Sequence, residues 1–219
     1  MAIVKVGNKI VKINGRLLVR GGASPEPQIT EVVIGSKTYP VVKIGNKHWL
    51  AENLDLTWNG LYIGGAPSNY TFKHAWYYNN QQSLMQLNKY NLLYNWYAVR
   101  YLEDHKDALL PIGWRVPTEN DYVELTTELG GASTAASKMK TSIWNGDNSS
   151  GLSMLPGGFQ DSKASSGFNS MGKLGCFWAL DEHKDGEHAL GMELYSSSTK
   201  VNYTWNWKVA ANSLRLIMD

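Results

Sequence analysis

A single helix in the middle of the chain has clear signals at both ends, and it constrains the fold more than any other feature. Pro117 precedes the stretch 118–129, and Thr118 can cap the helix by accepting a hydrogen bond from its first turn. Asp121, three residues on, is a shorter version of the capping-box acid. Gly130-Gly131 then ends the helix, because glycine readily adopts the left-handed conformation found there. Any fold for this chain must include this helix.

Strand patterns lie on both sides of the helix. Residues 31–50 alternate between apolar and polar side chains, with turns at Gly35-Ser36 and Gly45-Asn46. The stretch 59–91 is polar, aromatic and rich in Asn and Gln, which predicts a long loop with a short helix. A second helix is predicted at residues 133–140, followed by short strands and long loops. Strands first, two helices in the middle and short strands at the end are typical of the α+β class.

The first 27 residues form a segment of their own. Apolar and polar residues alternate in runs that predict a small β-meander, at residues 3–6, 9–13 and 16–19. Residues 21–27 form a linker by their glycine and proline content. We therefore divide the chain into an attachment or oligomerisation segment, 1–27, and a domain that carries the core, 28–219. A meander of this size does not fold alone, so a homo-oligomer formed through it is one expected arrangement.

Composition excludes several classes of protein. Hydrophobic residues make up 43% and charged residues 18% of the 219 residues, which is enough apolar material for the core of one large domain. The formal net charge is +2, and Lys and Arg are spread along the chain, so we expect no nucleic-acid partner. Lysines interrupt the apolar residues of the N-terminus, so we expect neither a signal peptide nor membrane insertion. Synthesis in the cytoplasm follows, and association with a released virion stays open.

No residue pattern of a known catalytic or cofactor site stands out. The sequence contains neither of the phosphate-binding patterns G-x-G-x-x-G and G-x-x-x-x-G-K-[ST], nor a G-x-S-x-G nucleophile elbow. Cys176 is the single cysteine, so no intrachain disulfide can form, and its apolar neighbours predict a buried thiol. No pair of carboxylates is singled out for glycoside hydrolysis. We therefore expect no enzyme activity and no cofactor.

The best candidate for a metal site is the run Asp-Glu-His-Lys-Asp-Gly-Glu-His at residues 181–188. It offers two imidazoles and several carboxylates, but their spacing matches neither a zinc-binding helix nor a calcium loop. A polar run around glycine is usually a solvated loop. The sequence therefore predicts no metal site here.

Several short blocks of sequence follow one another with a characteristic spacing. They are VKIGNKHWLAENL (42–54), LYNWYAV (93–99), GWRVPT (113–118), NSSGLSMLPGG (148–158), GCFW (175–178) and SLRL (213–216). Together they resemble the Fibrobacter succinogenes major paralogous domain, a family common in Bacteroidetes and Fibrobacter. The resemblance spans roughly residues 40–219 and depends on the order of the blocks, since no single block is specific.

The resemblance implies a C-type lectin-like fold, shared at a distance with formylglycine-generating enzymes. The chain lacks the cysteine pair that those enzymes use, so their activity is not implied. It also lacks the Glu-Pro-Asn and Gln-Pro-Asp motifs of true lectins, so calcium-dependent sugar binding is not implied. Leu110 and Leu216 stand where many family members have cysteine, as expected for a chain that matures in a reducing compartment.

The same fold is used by the variable proteins of diversity-generating retroelements in phages and bacteria, where adenine-directed mutagenesis changes residues on one face. The end of this chain is similar, because framework-like and irregular residues alternate between Gly175 and Arg215. The resemblance implies that 28–219 binds a protein or a surface glycan, with the N-terminal segment as its attachment, for example to a phage tail. The residues expected to contact the ligand are Trp178, Leu180, Glu182, His183, Lys184, Asp185, His188, Tyr203, Trp205, Trp207 and Lys208.

Two interpretations of Trp205 and Trp207 stay open. They are either exposed contact residues, as hot-spot chemistry favours, or core residues on one face of a strand at positions i and i+2. The function also has alternatives. A fixed-partner structural or cell-surface domain of the same family is the second, and an enzyme related to the formylglycine-generating group is the third. A metal within 181–188 would favour the enzyme.

Overall fold

The structure, a computed structural model, describes the backbone of residues 4–6 and 9–11 and all of residues 28–65, 71–161 and 167–219. Over these residues the chain is a mixed α+β protein with five α-helices and several sheets. The predicted α+β class is therefore confirmed, whereas the predicted number of two helices is wrong. None of the helices in the described ranges is long and apolar enough to cross a membrane.

The helices lie in the middle of the chain, with strands before and after them. The helices are α1 (Gln82–Leu87), α2 (Trp96–Asp104), α3 (Lys106–Leu109), α4 (Glu119–Glu128) and α5 (Ala135–Met139). The strands are β1 (Val4–Val6), β2 (Lys9–Val11), β3 (Glu31–Ile34), β4 (Lys37–Ile44), β5 (Lys47–Leu50), β6 (Tyr62–Ile63), β7 (His74–Tyr77), β8 (Leu92–Asn95), β9 (Trp114–Arg115), β10 (Phe159–Gln160), β11 (Phe168–Asn169), β12 (Leu174–Glu182), β13 (His188–Tyr195), β14 (Val201–Trp207), β15 (Ala211–Asn212) and β16 (Ile217–Met218).

Side-chain capping explains the prediction of α4 but not that of the other helices, because α1 and α5 have no side-chain cap although the sequence predicts both. α4 and α5 lie within the predicted stretches, and α1 is the short helix expected within 59–91. The capping box of α4 is complete, because Thr118 accepts from the Asp121 amide and the Asp121 carboxylate accepts from the Thr118 amide at 2.7 Å. α2 is capped by Asn95, whose side chain accepts from the Ala98 amide at 3.0 Å. Its aromatic-rich sequence carries no stop signal like Gly130-Gly131, and the sequence analysis did not predict it.

The predicted strands at 31–50 form a sheet that the C-terminus completes. β3, β4 and β5 are antiparallel, with turns at Gly35-Ser36 and Gly45-Asn46 as predicted. The strand order is β3-β4-β5-β16-β9, and β16 pairs with both β5 and β9. The end of the chain therefore joins the first hairpins to the strand that leads into α4.

A second antiparallel sheet consists of β12, β13 and β14 in that order, with β14 at an edge. Its strands contain nine, eight and seven residues and are longer than predicted for this part of the chain. The short strands predicted after residue 141 are found in β10, β11, β15 and β16, which have two residues each. Residues 174–179 of β12 are all buried. Both faces of that strand are covered, so it lacks the apolar–polar alternation by which a strand is predicted.

Only part of the N-terminal segment falls within the described residues. β1 and β2 pair antiparallel, with Val4 opposite Val11, and they match the first two strands of the predicted meander. The third predicted run, residues 16–19, and the linker, residues 21–27, lie outside the described residues. The boundary at residue 27 and the role of the segment in attachment stay predictions.

Tryptophan supplies much of the core. Trp49, Trp76, Trp144 and Trp178 are each at most 1% exposed. Trp58 is half-buried. Trp96 and Trp114 are each 3% exposed, so five of the six tryptophans before residue 150 belong to the core.

Arg215 is a buried cation that ties distant segments together, and its exposed fraction is 0%. Its guanidinium donates to Asn53 Oδ1 at 2.8 Å and to the Leu50 carbonyl at 2.7 Å. It also donates to the carbonyls of Leu152 at 2.8 Å and Ser153 at 3.1 Å. A buried charge is tolerated only when acceptors surround it, so the positions of these segments depend on one another.

We expect Arg215→Met to destabilise the fold by about 3–5 kcal/mol, because it leaves buried acceptors without a donor. Arg100→Met is the matched control, since Arg100 forms an exposed ion pair with Asp104 at 2.8 Å and should lose less than about 1 kcal/mol. Urea unfolding followed by tryptophan fluorescence measures both. Equal losses for the two variants would show that Arg215 does not hold the core.

Candidate ligand-binding surface

The candidate surface lies at one end of the sheet formed by β12, β13 and β14. β12 ends at Glu182 and β13 begins at His188, so residues 183–187 form the turn between them. β14 runs antiparallel to β13 and places Trp207 opposite His188. The fold thereby brings together residues from the two parts of the predicted contact set, 182–188 and 205–207.

Trp205 and Trp207 are partly exposed on β14, at 41% and 37%. The Trp205 ring lies 5.0 Å from the His183 imidazole, and the Trp207 ring lies 3.9 Å from the His188 imidazole. The interpretation of these tryptophans as core residues is therefore wrong. Their contact with a ligand stays a prediction.

A close approach between β13 and β14 constrains the residue between the two tryptophans. Side chains alternate between the faces of a strand, so Asn206 points away from Trp205 and Trp207. A Cβ atom at Gly191 would collide with the Asn206 amide. The sequence analysis did not single out Gly191, although a glycine inside a long strand is a signal of close backbone approach.

Asp185 organises the turn between β12 and β13. Its Oδ1 accepts from the amides of Glu187 at 2.9 Å and His188 at 3.1 Å. Its Oδ2 lies 2.9 Å from His183 Nδ1 and 2.7 Å from His188 Nδ1. Desolvation alone would raise the pKa of Asp185, but the hydrogen bonds outweigh it and hold the pKa well below its usual value. An ionised carboxylate therefore faces two imidazoles.

Lys208 supports this turn from the interior, since it is only 5% exposed. Its Nζ donates to the Glu182 carboxylate at 2.5 Å and to the Gly186 carbonyl at 2.9 Å. The same atom lies 4.6 Å from the centre of the Trp96 ring. The expectation that Lys208 contacts a ligand is corrected, because its charge is already used to hold the turn. Trp96 is a supporting residue that the sequence analysis missed, since nothing local links α2 to a turn so distant in sequence.

Three other predicted contact residues belong wholly or partly to the interior. Trp178 is fully buried, and its indole donates to the Tyr94 carbonyl at 2.7 Å, so its assignment to the surface is corrected. Leu180 is half-buried against the apolar core. Tyr203 is half-buried, and its hydroxyl donates to the Tyr122 carbonyl at 3.1 Å. The remaining members of the predicted set reach solvent and are called the hairpin-tip surface: Glu182, His183, Lys184, Asp185, His188, Trp205 and Trp207.

Cys176 agrees with the prediction of a buried thiol, because it is free and 2% exposed. Burial raises the pKa of the thiol well above its usual value. A reactive cysteine needs the opposite shift, since the thiolate is the nucleophile. Cys176 therefore acts as an apolar core residue.

Comparison with known proteins gives one match. A family model described as the Fibrobacter succinogenes major domain matches residues 42–217. The matched range contains every helix of the described residues and the whole hairpin-tip surface. No curated protein and no solved structure matches the chain.

Trp178 is buried and Trp205 is exposed, so replacing each by alanine should lower the free energy of unfolding by different amounts. We expect Trp178→Ala to lose about 3–5 kcal/mol of stability, because it leaves a cavity in the core. Trp205→Ala should lose less than about 1 kcal/mol, as do most surface substitutions. Urea denaturation with circular dichroism as the signal tests both. A loss at Trp205 as large as that at Trp178 would contradict its place at the surface.

Proposed function

The chain belongs to the Fibrobacter succinogenes major domain family, and we propose that this member is a ligand-binding protein built on a C-type lectin-like scaffold. In this proposal the hairpin-tip surface is the variable site of a target protein diversified by a retroelement, in a phage or a bacterium. The ligand is a protein or a surface glycan. Recognition requires neither a catalytic step nor a cofactor.

The observation that carries the proposal is the pair of exposed tryptophans beside a charged turn. Large apolar side chains on a surface usually mark contact sites, and tryptophan is prominent among binding hot spots. Trp205 and Trp207 offer flat apolar faces, while Lys184 and Glu182 offer exposed charges of both signs nearby. Such a surface combines apolar anchors for affinity with charges for selectivity.

The frame beneath the surface is suited to changes of side chain. Trp178, Leu190 and Met192 are buried in the strands that carry the turn. The turn itself is held by the Asp185 carboxylate, which accepts from the Glu187 amide, and by Lys208, and neither contact depends on the exposed side chains of Lys184 or Trp205. A binding site on a fixed frame can change partner without refolding.

In the same proposal, the N-terminal segment, residues 1–27, serves for attachment or for assembly of several copies. If it attaches the domain to a particle or joins several copies, weak single sites act together. Linked sites raise the apparent affinity without any new contact. Such avidity suits a newly changed surface whose single sites still bind weakly.

Binding through the exposed tryptophans is tested with the double variant Trp205→Ser, Trp207→Ser. The wild-type chain is screened on arrays of bacterial surface proteins and glycans, and the double variant should bind its ligands at least tenfold more weakly. Ile143→Ser is the matched control. Ile143 is 78% exposed, and its neighbour Asn145 donates to the Ser196 carbonyl just beyond the far end of β13. Full retention of every ligand by the double variant would exclude the hairpin-tip surface.

Diversification is tested by sequencing the gene and its flanking DNA from many independent isolates. We expect variation at the codons of the hairpin-tip surface whose side chains do not hold the turn, such as Lys184, Trp205 and Trp207, at positions where a nearby near-copy carries adenine. The codons for Trp178, Gly191 and Arg215 should stay constant, because these residues belong to the frame. A constant surface with no reverse transcriptase nearby would contradict diversification and leave a fixed-partner domain of the same family. An ordered catalytic cleft elsewhere would instead favour the enzyme alternative.

A further inference from the structure

We propose that His183, Asp185 and His188 bind one divalent transition-metal ion of the zinc type at the turn between β12 and β13. The three side chains each offer a ligand atom, and these atoms lie within 4.8 Å of one another. The proposal does not rest on the proposed function, because a chain that recognised no partner would still bind the ion. It bears on that function, because a metal at this turn favours the enzyme alternative.

The distances between the ligand atoms suit a small ion. Both imidazole Nδ1 atoms approach the same carboxylate oxygen of Asp185, at 2.9 Å for His183 and 2.7 Å for His188. Ligands about 2.1 Å from a tetrahedral zinc ion are separated from one another by about 3.4 Å. The separation of each imidazole nitrogen from Asp185 Oδ2 would therefore lengthen by only a fraction of an ångström to admit the ion, and the remaining separations lie within 4.8 Å.

Backbone hydrogen bonds hold the carboxylate in position. Asp185 Oδ1 is occupied by the amides of Glu187 and His188, which leaves Oδ2 directed at the imidazoles. The His183 amide donates to the His188 carbonyl at 2.9 Å, and the Gly186 amide donates to the His183 carbonyl at 3.1 Å. The ligands thus project from a closed turn, and such preorganisation around the ligands strengthens metal binding.

His183 Nδ1 has two close neighbours of opposite kind. The Asp185 amide donates to it at 3.4 Å, and Asp185 Oδ2, an acceptor, lies 2.9 Å from it. A neutral nitrogen that accepts from the amide therefore faces the carboxylate oxygen with a lone pair and not with a proton. A metal ion would suit this arrangement, because it takes lone pairs from both imidazoles and from the carboxylate.

The tryptophans fix the orientation of the imidazoles. Trp205 packs on His183 at 5.0 Å and Trp207 packs on His188 at 3.9 Å.

Two imidazoles and one carboxylate favour zinc and similar ions over calcium or magnesium, which prefer oxygen ligands. Three protein ligands also leave one position of a tetrahedral site for water or a further ligand.

The experiment uses the untagged full-length chain after treatment with a chelator. Zn²⁺ is titrated by calorimetry into the wild type, His188→Gln and Asp185→Asn, and Co²⁺ absorption reports the coordination. His105→Gln is the matched control, because His105 is exposed and its Nδ1 lies 2.9 Å from the Tyr101 carbonyl, outside this turn. Circular dichroism checks that each variant keeps the fold.

We expect the wild type and His105→Gln to bind one equivalent of Zn²⁺ with equal affinity. His188→Gln and Asp185→Asn should each bind at least tenfold more weakly and lose the Co²⁺ absorption of a tetrahedral site. Zn²⁺ should also raise the unfolding temperature of the wild type and not that of the two turn variants. If the wild type takes up no Zn²⁺, or if both turn variants bind it as tightly as the wild type, the proposal is overturned.

Discussion

The rest of the structure depends on the hydrogen bonds that the buried guanidinium of Arg215 donates. A cation removed from water needs acceptors on every side, and Arg215 finds them in the segment after β5 and in the loop at Leu152 and Ser153. β16 begins two residues after Arg215 and pairs with β5 and β9, so Arg215 helps to hold the sheet that leads into α4. α4 then meets β14, where Tyr203 donates to the Tyr122 carbonyl. The hairpin-tip surface thus rests on a frame that the C-terminal residues close.

Two further buried cations fix the ends of the sheet that carries the surface. Lys208 donates to Gly186 at the turn between β12 and β13. Lys140, only 1% exposed, donates to the carbonyls of Tyr195 and Ser198 at 2.8 Å each, at the turn between β13 and β14. Both lysines satisfy backbone carbonyls that strand pairing leaves free at turns. Exposed side chains such as Lys184 and Trp205 can therefore differ without removing the lysine contacts and the Asp185 hydrogen bonds that hold the backbone in place.

The parts of the fold that the sequence predicts are those determined by neighbouring residues. α4 has its cap at Thr118 and its stop at Gly130, and the hairpins at 31–50 have glycine turns, so both could be predicted. β12 could not, because burial of both faces removes its alternation. Trp178 and Trp205 look alike in sequence, and only the tertiary packing makes one core and the other surface. The approach of His183, Asp185 and His188 likewise depends on the turn geometry, which spacing alone did not indicate.

The alternation of side chains between the two faces of β14 limits which residues of the surface can change during evolution. Trp205 and Trp207 face solvent, whereas Asn206 lies against Gly191 in the neighbouring strand. The Asn206 amide fills the space over Gly191 where a methyl group would lie, so the residues at 191 and 206 can change only in a way that keeps them compatible. At the tip of this strand, residues 205 and 207 can change the outside of the molecule without altering the contact between Asn206 and Gly191. A repertoire built at the tip would skip residue 206, a spacing imposed by the pleat of the strand and independent of the mutagenic machinery.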